Sequence, residues 1–153
     1  MKCNCPSPEE LYPIIKQNIE KTGFHMFMIQ GEVPFFYTVG FIEHGLPELV
    51  CTVPVRPDLM HTIFWNVYHS WKEHGYKEGE NYEIIEGMVK FVTVDPDAAL
   101  ADYTIQAGVY YRDTEYDGKH TAVQMLLPDV NGLFPNEPGY DMQQPLIKTL
   151  TVN

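Results

Sequence analysis

The stretch from Pro34 to Pro54, PFFYTVGFIEHGLPELVCTVP, constrains the fold more than any other part of the chain. Its two apolar runs, Phe35 to Phe41 and Leu49 to Val53, are rich in β-branched and aromatic residues and read as strands. The turn between them carries Glu43, His44, Gly45, Pro47 and Glu48. A connection this short cannot hold a parallel crossover, so the two runs are expected to pair antiparallel. Phe24 to Gln30 (FHMFMIQ) precedes them through the turn Gly31 to Pro34 and completes a predicted three-stranded meander. In its middle strand Phe35, Tyr37 and Val39 face one way while Phe36, Thr38 and Gly40 face the other, so cover on both faces is expected.

Helical patterns supply that cover. Ser7-Pro8-Glu9-Glu10 reads as a helix start, with Ser7 as N-cap and Glu10 closing a capping box. The helix would bury Leu11, Ile14, Ile15 and Ile19 and stop at Thr22-Gly23, with Pro13 predicting either a kink or a later start. Pro57 to Glu73 is the strongest helical pattern: Leu59, Ile63, Val67 and Trp71 recur near helical spacing, and Met60, Phe64 and Tyr68 widen the stripe. Tyr82–Ile85 and Met88–Val94 predict a hairpin around Glu86-Gly87, and Asp95-Pro96-Asp97 starts a short helix reaching about Asp102. Tyr103 to Arg112 leaves helix and strand both open, whereas Lys119 to Leu127 reads as a final strand. From Leu133 onward the chain is rich in Pro and Gly and is expected to wrap the outside of the core. The predicted architecture is α+β: an antiparallel sheet of five or six strands, one long helix over about 57–73 packed on it, and the N-terminal helix beside that helix. Residues 1–153 are expected to form a single domain.

Charge narrows the partners. Against 21 acidic residues stand 10 basic ones, a net charge of -11, with no basic stripe, so duplex nucleic acid is not an expected partner. A small phosphorylated ligand stays open, because a nest of backbone N–H groups or one Arg suffices to hold it. No apolar run reaches the roughly 18–20 residues of a membrane span, and the first ten residues contain no signal-peptide core, so no membrane association and a cytoplasmic location are expected. Cys3, Cys5 and Cys51 form no C-x-x-C pair, and reduced thiols are expected, with Cys51 a core side chain. His61 and His69 lie two helical turns apart, roughly 12 Å along the axis, and no H-E-x-x-H motif occurs, so neither a metal site nor a cofactor is expected.

Two clusters carry potential chemistry. Glu43 and His44 sit in the turn after a strand, where a carboxylate can hold an imidazole tautomer for general base work, with Tyr37, Thr38 or Glu48 adding hydrogen bonds. The competing reading makes Glu43 and His44 solvated turn residues and Glu48 a strand cap. Tyr110, Tyr111 and Arg112, with Gln124 and Asp129, form a second set, in which Arg112 suits an anion and the tyrosines suit a planar ring. The bland account of that set is core-rim tyrosines and a surface ion pair. His61-Thr62 and His120-Thr121 are adjacent pairs whose side chains diverge, unlike the alternate His and Thr of two-histidine phosphoesterases. No G-x-S-x-G elbow or Gly-rich phosphate loop is present.

The segments P-F-F-Y-T-V-G-F-I-E-H-G-L-P-E-L and A-V-Q-M-L-L-P-D-V-N-G-L-F-P-N-E-P-G-Y-D together resemble the domain of unknown function 4262 family, small bacterial and phage-borne proteins. That family carries a P-F-x-Y-T-x-G-L…H-P-E-L block and a Q-L-x-W-P-D…G-x-F-P-W block, with the intervening helix and the Tyr110–Arg112 segment in the same order. Leu46 stands where the family commonly has His, and Leu127 and Asn136 where it often has Trp. The resemblance implies no activity.

The leading functional expectation is a small-ligand-binding protein without standard catalytic motifs, able to form a homo-oligomer. Its pocket would join the Tyr37–Glu48 block to Tyr110–Arg112 and Gln124–Asp129. A phage-type protein that sequesters a nucleotide-derived signal fits that description. The alternatives are a phosphodiesterase-like hydrolase using His44 with Glu43, and a protein-interaction or inhibitor module using the acidic surface and the Pro-rich tail.

Overall fold

The structure, a computed structural model, describes residues 8–31, 34–76, 78–85, 87–99, 103–112, 114–142 and 144–147. The expectations for Ser7, Cys3, Cys5, Glu86 and residues 100–102 lie outside the described residues. In chain order come α1 (Pro8–Thr22), β1 (His25–Ile29), β2 (Phe35–Val39), a 3-10 turn (Phe41–His44), β3 (Glu48–Cys51) and α2 (Pro57–His74). There follow β4 (Gly79–Ile85), β5 (Gly87–Thr93), the single turn α3 (Pro96–Ala98), α4 (Ile105–Tyr111) and β6 (Ala122–Leu126). The six strands form one sheet in the order β1-β2-β3-β6-β5-β4.

The meander is present: β1 pairs antiparallel with β2 and β2 with β3, Tyr37 standing opposite both Phe27 and Val50. The β4–β5 hairpin and the β5–β6 pair are also antiparallel. The sheet is nevertheless mixed, because β6 runs parallel to β3, with Leu49 opposite Val123. This corrects the wholly antiparallel expectation. Short turns force antiparallel neighbours, whereas the chain between β3 and β6 contains α2, a hairpin and α4, which is ample for a strand to return in the same direction.

Alternation along the strands divides the interior in two. On one face α2 buries Met60, Ile63, Phe64, Val67 and Trp71 against Phe36, Leu49, Cys51, Phe91, Val123 and Met125. On the other, Ile15 of α1 and Ala107 and Tyr111 of α4 pack with Tyr37, Val39, Val50 and Ala122. The N-terminal helix therefore lies across the sheet from α2, not beside it, and at 15 residues against 18 it makes a second long helix. Alternation predicts this outcome, since a strand apolar on both faces needs two covers. α1 runs through Pro13 without interruption, and the open stretch Tyr103 to Arg112 holds a helix over Ile105–Tyr111. Cys51 is fully buried, and burial pushes its thiol up to about 12. Among the described residues no helix is long and apolar enough to cross a membrane.

Candidate functional site

Glu48 opens β3 with its side chain fully buried. Its Oε1 accepts from the Thr38 hydroxyl at 2.8 Å and from Phe41 N at 3.2 Å. Its Oε2 accepts from Ile42 N at 3.2 Å and from the Tyr111 hydroxyl at 2.6 Å. Tyr111 accepts in turn from Gly40 N at 2.5 Å, and Thr38 from Leu49 N at 2.9 Å. The carboxylate thus caps the 3-10 turn and ties it to α4 and β2. Burial raises the Glu48 pKa to about 7, against the pull of its four donors, and burial beside Glu48 keeps Tyr111 protonated. Tyr37 is spent in the same way: fully buried, it accepts from Gln106 N at 3.0 Å and so anchors the start of α4, while burial raises its pKa.

Glu43 and His44 do not form a dyad. No hydrogen bond or ion pair joins them among the described residues. Glu43 is exposed, whereas His44 is half-buried, its Nε2 donating to Gly23 O at 3.1 Å beside the Tyr68 hydroxyl at 3.4 Å. With that nitrogen bound to a carbonyl, His44 docks the turn on the end of α1. The second set is dispersed as well. Tyr110 packs edge-on against Tyr12, and Arg112 is exposed at the end of α4. Gln124 is buried, donating to Thr52 Oγ1 and Pro145 O and accepting from Ile147 N, which clamps the C-terminal segment over the sheet. Asp129 accepts from the N–H groups of Asn131, Leu133 and Asp141. Burial opposes its ionisation, but these donors prevail and hold its pKa below the usual value. Glu48, Thr38 and Tyr111 come together; His44, Gln124 and Asp129 serve separate structural roles, and Glu43 and Arg112 are exposed.

The described residues instead offer a cleft of about 340 Å³ at the end of the sheet where β3 and β6 begin and β5 ends. Ile42, Gly45, Leu46 and Pro47 of the turn form one wall, Tyr76 and Val123 the inner surface, and Thr93, Lys119 and Thr121 the polar margin. The Tyr76 hydroxyl is buried without a partner at hydrogen-bonding geometry. Burial raises its pKa; Thr93 lies near enough to oppose that rise but does not complete a bond. The Thr93 hydroxyl is committed to Glu78 Oε2 at 2.5 Å, and Thr93 N donates to the same oxygen at 3.0 Å. Lys119 is exposed at the mouth. None of the candidate catalytic or binding residues read from the sequence lines this cleft, although the turn residues Gly45, Leu46 and Pro47 between them do. The available signal was one of few basic residues placed three positions before a strand and a tyrosine directly after the helix-ending Gly75, neither of which forms a motif. Among the described residues no three His, Cys, Asp or Glu side chains come together as a metal site.

No curated protein and no solved structure matches the chain. A family model described as a domain of unknown function (DUF4262) matches residues 18–141, which include the 3-10 turn, the Glu48 network and every residue lining the cleft. The chain belongs to the DUF4262 family.

Proposed function

We propose that this protein binds a small molecule, with an apolar body and one anionic group, in the cleft between the 3-10 turn, Tyr76 and the start of β6. The observation that carries this reading is a cleft of about 340 Å³ with an apolar wall from Ile42, Leu46, Pro47 and Val123, Tyr76 among its lining residues and the exposed Lys119 at its margin. The volume falls at the lower end of the roughly 300–1,000 Å³ of small-molecule sites. Ile42, Leu46, Pro47 and Val123 suit an apolar or planar body, and Lys119 supplies a local cation in an acidic protein. A nucleotide-derived ligand, with its phosphate at Lys119 and its base on the apolar wall, meets that description.

The test is calorimetric titration with nucleoside monophosphates and small aromatic carboxylates, followed by recovery of the ligand from denatured protein. At least one compound is expected to bind and be recovered intact, with affinity about tenfold weaker in Lys119→Ala, the loss of one partly exposed charge contact. Affinity unchanged by that substitution would place the ligand elsewhere. Recovery of cleaved product would replace binding by turnover.

A further inference from the structure

Resting on the ligand-binding reading of the cleft, we propose that Glu48 is its positioning residue: the carboxylate holds the turn that forms one wall, so proton uptake at Glu48 opposes ligand binding. Glu48 does not line the cleft. It acts through Ile42, which does, and through Phe41, whose carbonyl accepts from Leu46 N at 3.1 Å. Ile42 O accepts in turn from Gly45 N at 3.0 Å, so a carboxylate bound to Phe41 N and Ile42 N sets the course of the whole wall.

The network is complementary to an anion alone. All four partners donate. The Tyr111 hydroxyl already accepts from Gly40 N and the Thr38 hydroxyl from Leu49 N, which directs both hydroxyl protons at Glu48. A neutral carboxylic acid adds a fifth proton to a group of donors, and one of them must turn away. The backbone contacts to Phe41 and Ile42, at 3.2 Å each, are the longest and yield first. Among the described residues no titratable group gives the carboxylate a counter-charge. From α4 comes neutral Tyr111, and from the turn Glu43, whose negative charge reaches Tyr111. Ahead of β6, His120 has its ring 5.5 Å from that of Tyr111, and burial lowers its pKa; Tyr116 lies 6.0 Å from Tyr111.

NMR on the wild-type protein tests this without any ligand. The Glu48 carboxyl carbon is followed from pH 5 to 8.5 together with amide exchange at Phe41 and Ile42, corrected for its intrinsic pH dependence. The two are expected to share one midpoint, with exchange about tenfold faster in the protonated form. In Glu48→Gln the corrected exchange should no longer depend on pH. Exchange at Phe41 and Ile42 that ignores the Glu48 titration overturns the proposal, and the wild-type measurement is sufficient to show this should the variant not fold. With AMP as probe, affinity should fall with the same midpoint in the wild type and lose that component in Glu48→Gln. A null result with AMP alongside a positive exchange result counts against AMP as a cleft ligand and leaves the Glu48 strut standing.

Discussion

Four donors converge on Glu48, and that arrangement decides what the carboxylate does: it holds backbone, not substrate. Folding raises its pKa from 4.5 to about 7, so the folded chain binds this proton more tightly than the unfolded chain. Its contribution to stability is therefore fully present below the unfolded pKa and is lost as pH rises through the folded one. The difference corresponds to about 3 kcal/mol across that window. Urea denaturation from pH 4.5 to 8 should show wild-type stability declining relative to Glu48→Gln by that amount. The variant carries its own fixed cost, because an amide NH₂ faces donors, so the relative slope is the readout; parallel pH profiles would contradict the assignment. Glu48, Thr38, Tyr37 and Tyr111 stand out in the sequence as polar groups among apolar ones. Their consumption by one another and by backbone N–H groups was not legible there, since Tyr111 meets Glu48 across 63 positions.

Elements with a strong period were readable: α2, the meander and the β4–β5 hairpin all follow from spacing and turn residues. Elements fixed by distant contacts were not. Tyr103 to Arg112 has a β-rich composition, yet it is helical between two tertiary anchors, Tyr37 at Gln106 N and Tyr111 at Glu48. The direction of β6 was likewise open, because nothing local specifies the partner of a strand reached by so long a connection. The junction of α1 with β1 shows the same dependence. Gly23, at φ +95, passes so close to Tyr68 of α2 that an added Cβ would overlap the phenol ring, and His44 donates to its carbonyl. Gly23→Ala combines a strained φ with this overlap and is expected to cost roughly 2–4 kcal/mol, read as a lower denaturation midpoint with unchanged slope. A neutral result would mean that the α1–β1 junction does not press on Tyr68 of α2.

Over the whole molecule, two covered sheet faces leave the cleft at one end of the sheet and the Gln124 clamp toward the other end of β3 and β6. Gln124 binds Thr52, Pro145 and Ile147, and Ile147 is buried in the α1-side core. Gln124→Ala is expected to lower stability by roughly 2–4 kcal/mol and to expose the chain near 144–147 to limited proteolysis. Sequence reasoning placed the pocket between the two motif blocks because they hold the most polar and aromatic residues. In the folded chain those residues are largely satisfied internally, and the cleft draws Tyr76, Thr93 and Lys119 from outside both blocks. The most direct test of ligand binding in the cleft is amide chemical-shift mapping during titration with the tightest compound of the panel. Ile42, Gly45, Leu46, Thr93, Lys119 and Thr121 are expected to shift together and saturably, with a weaker response in Lys119→Ala. Shifts concentrated at Tyr110–Arg112 and Asp129, with the cleft residues unmoved, would contradict it.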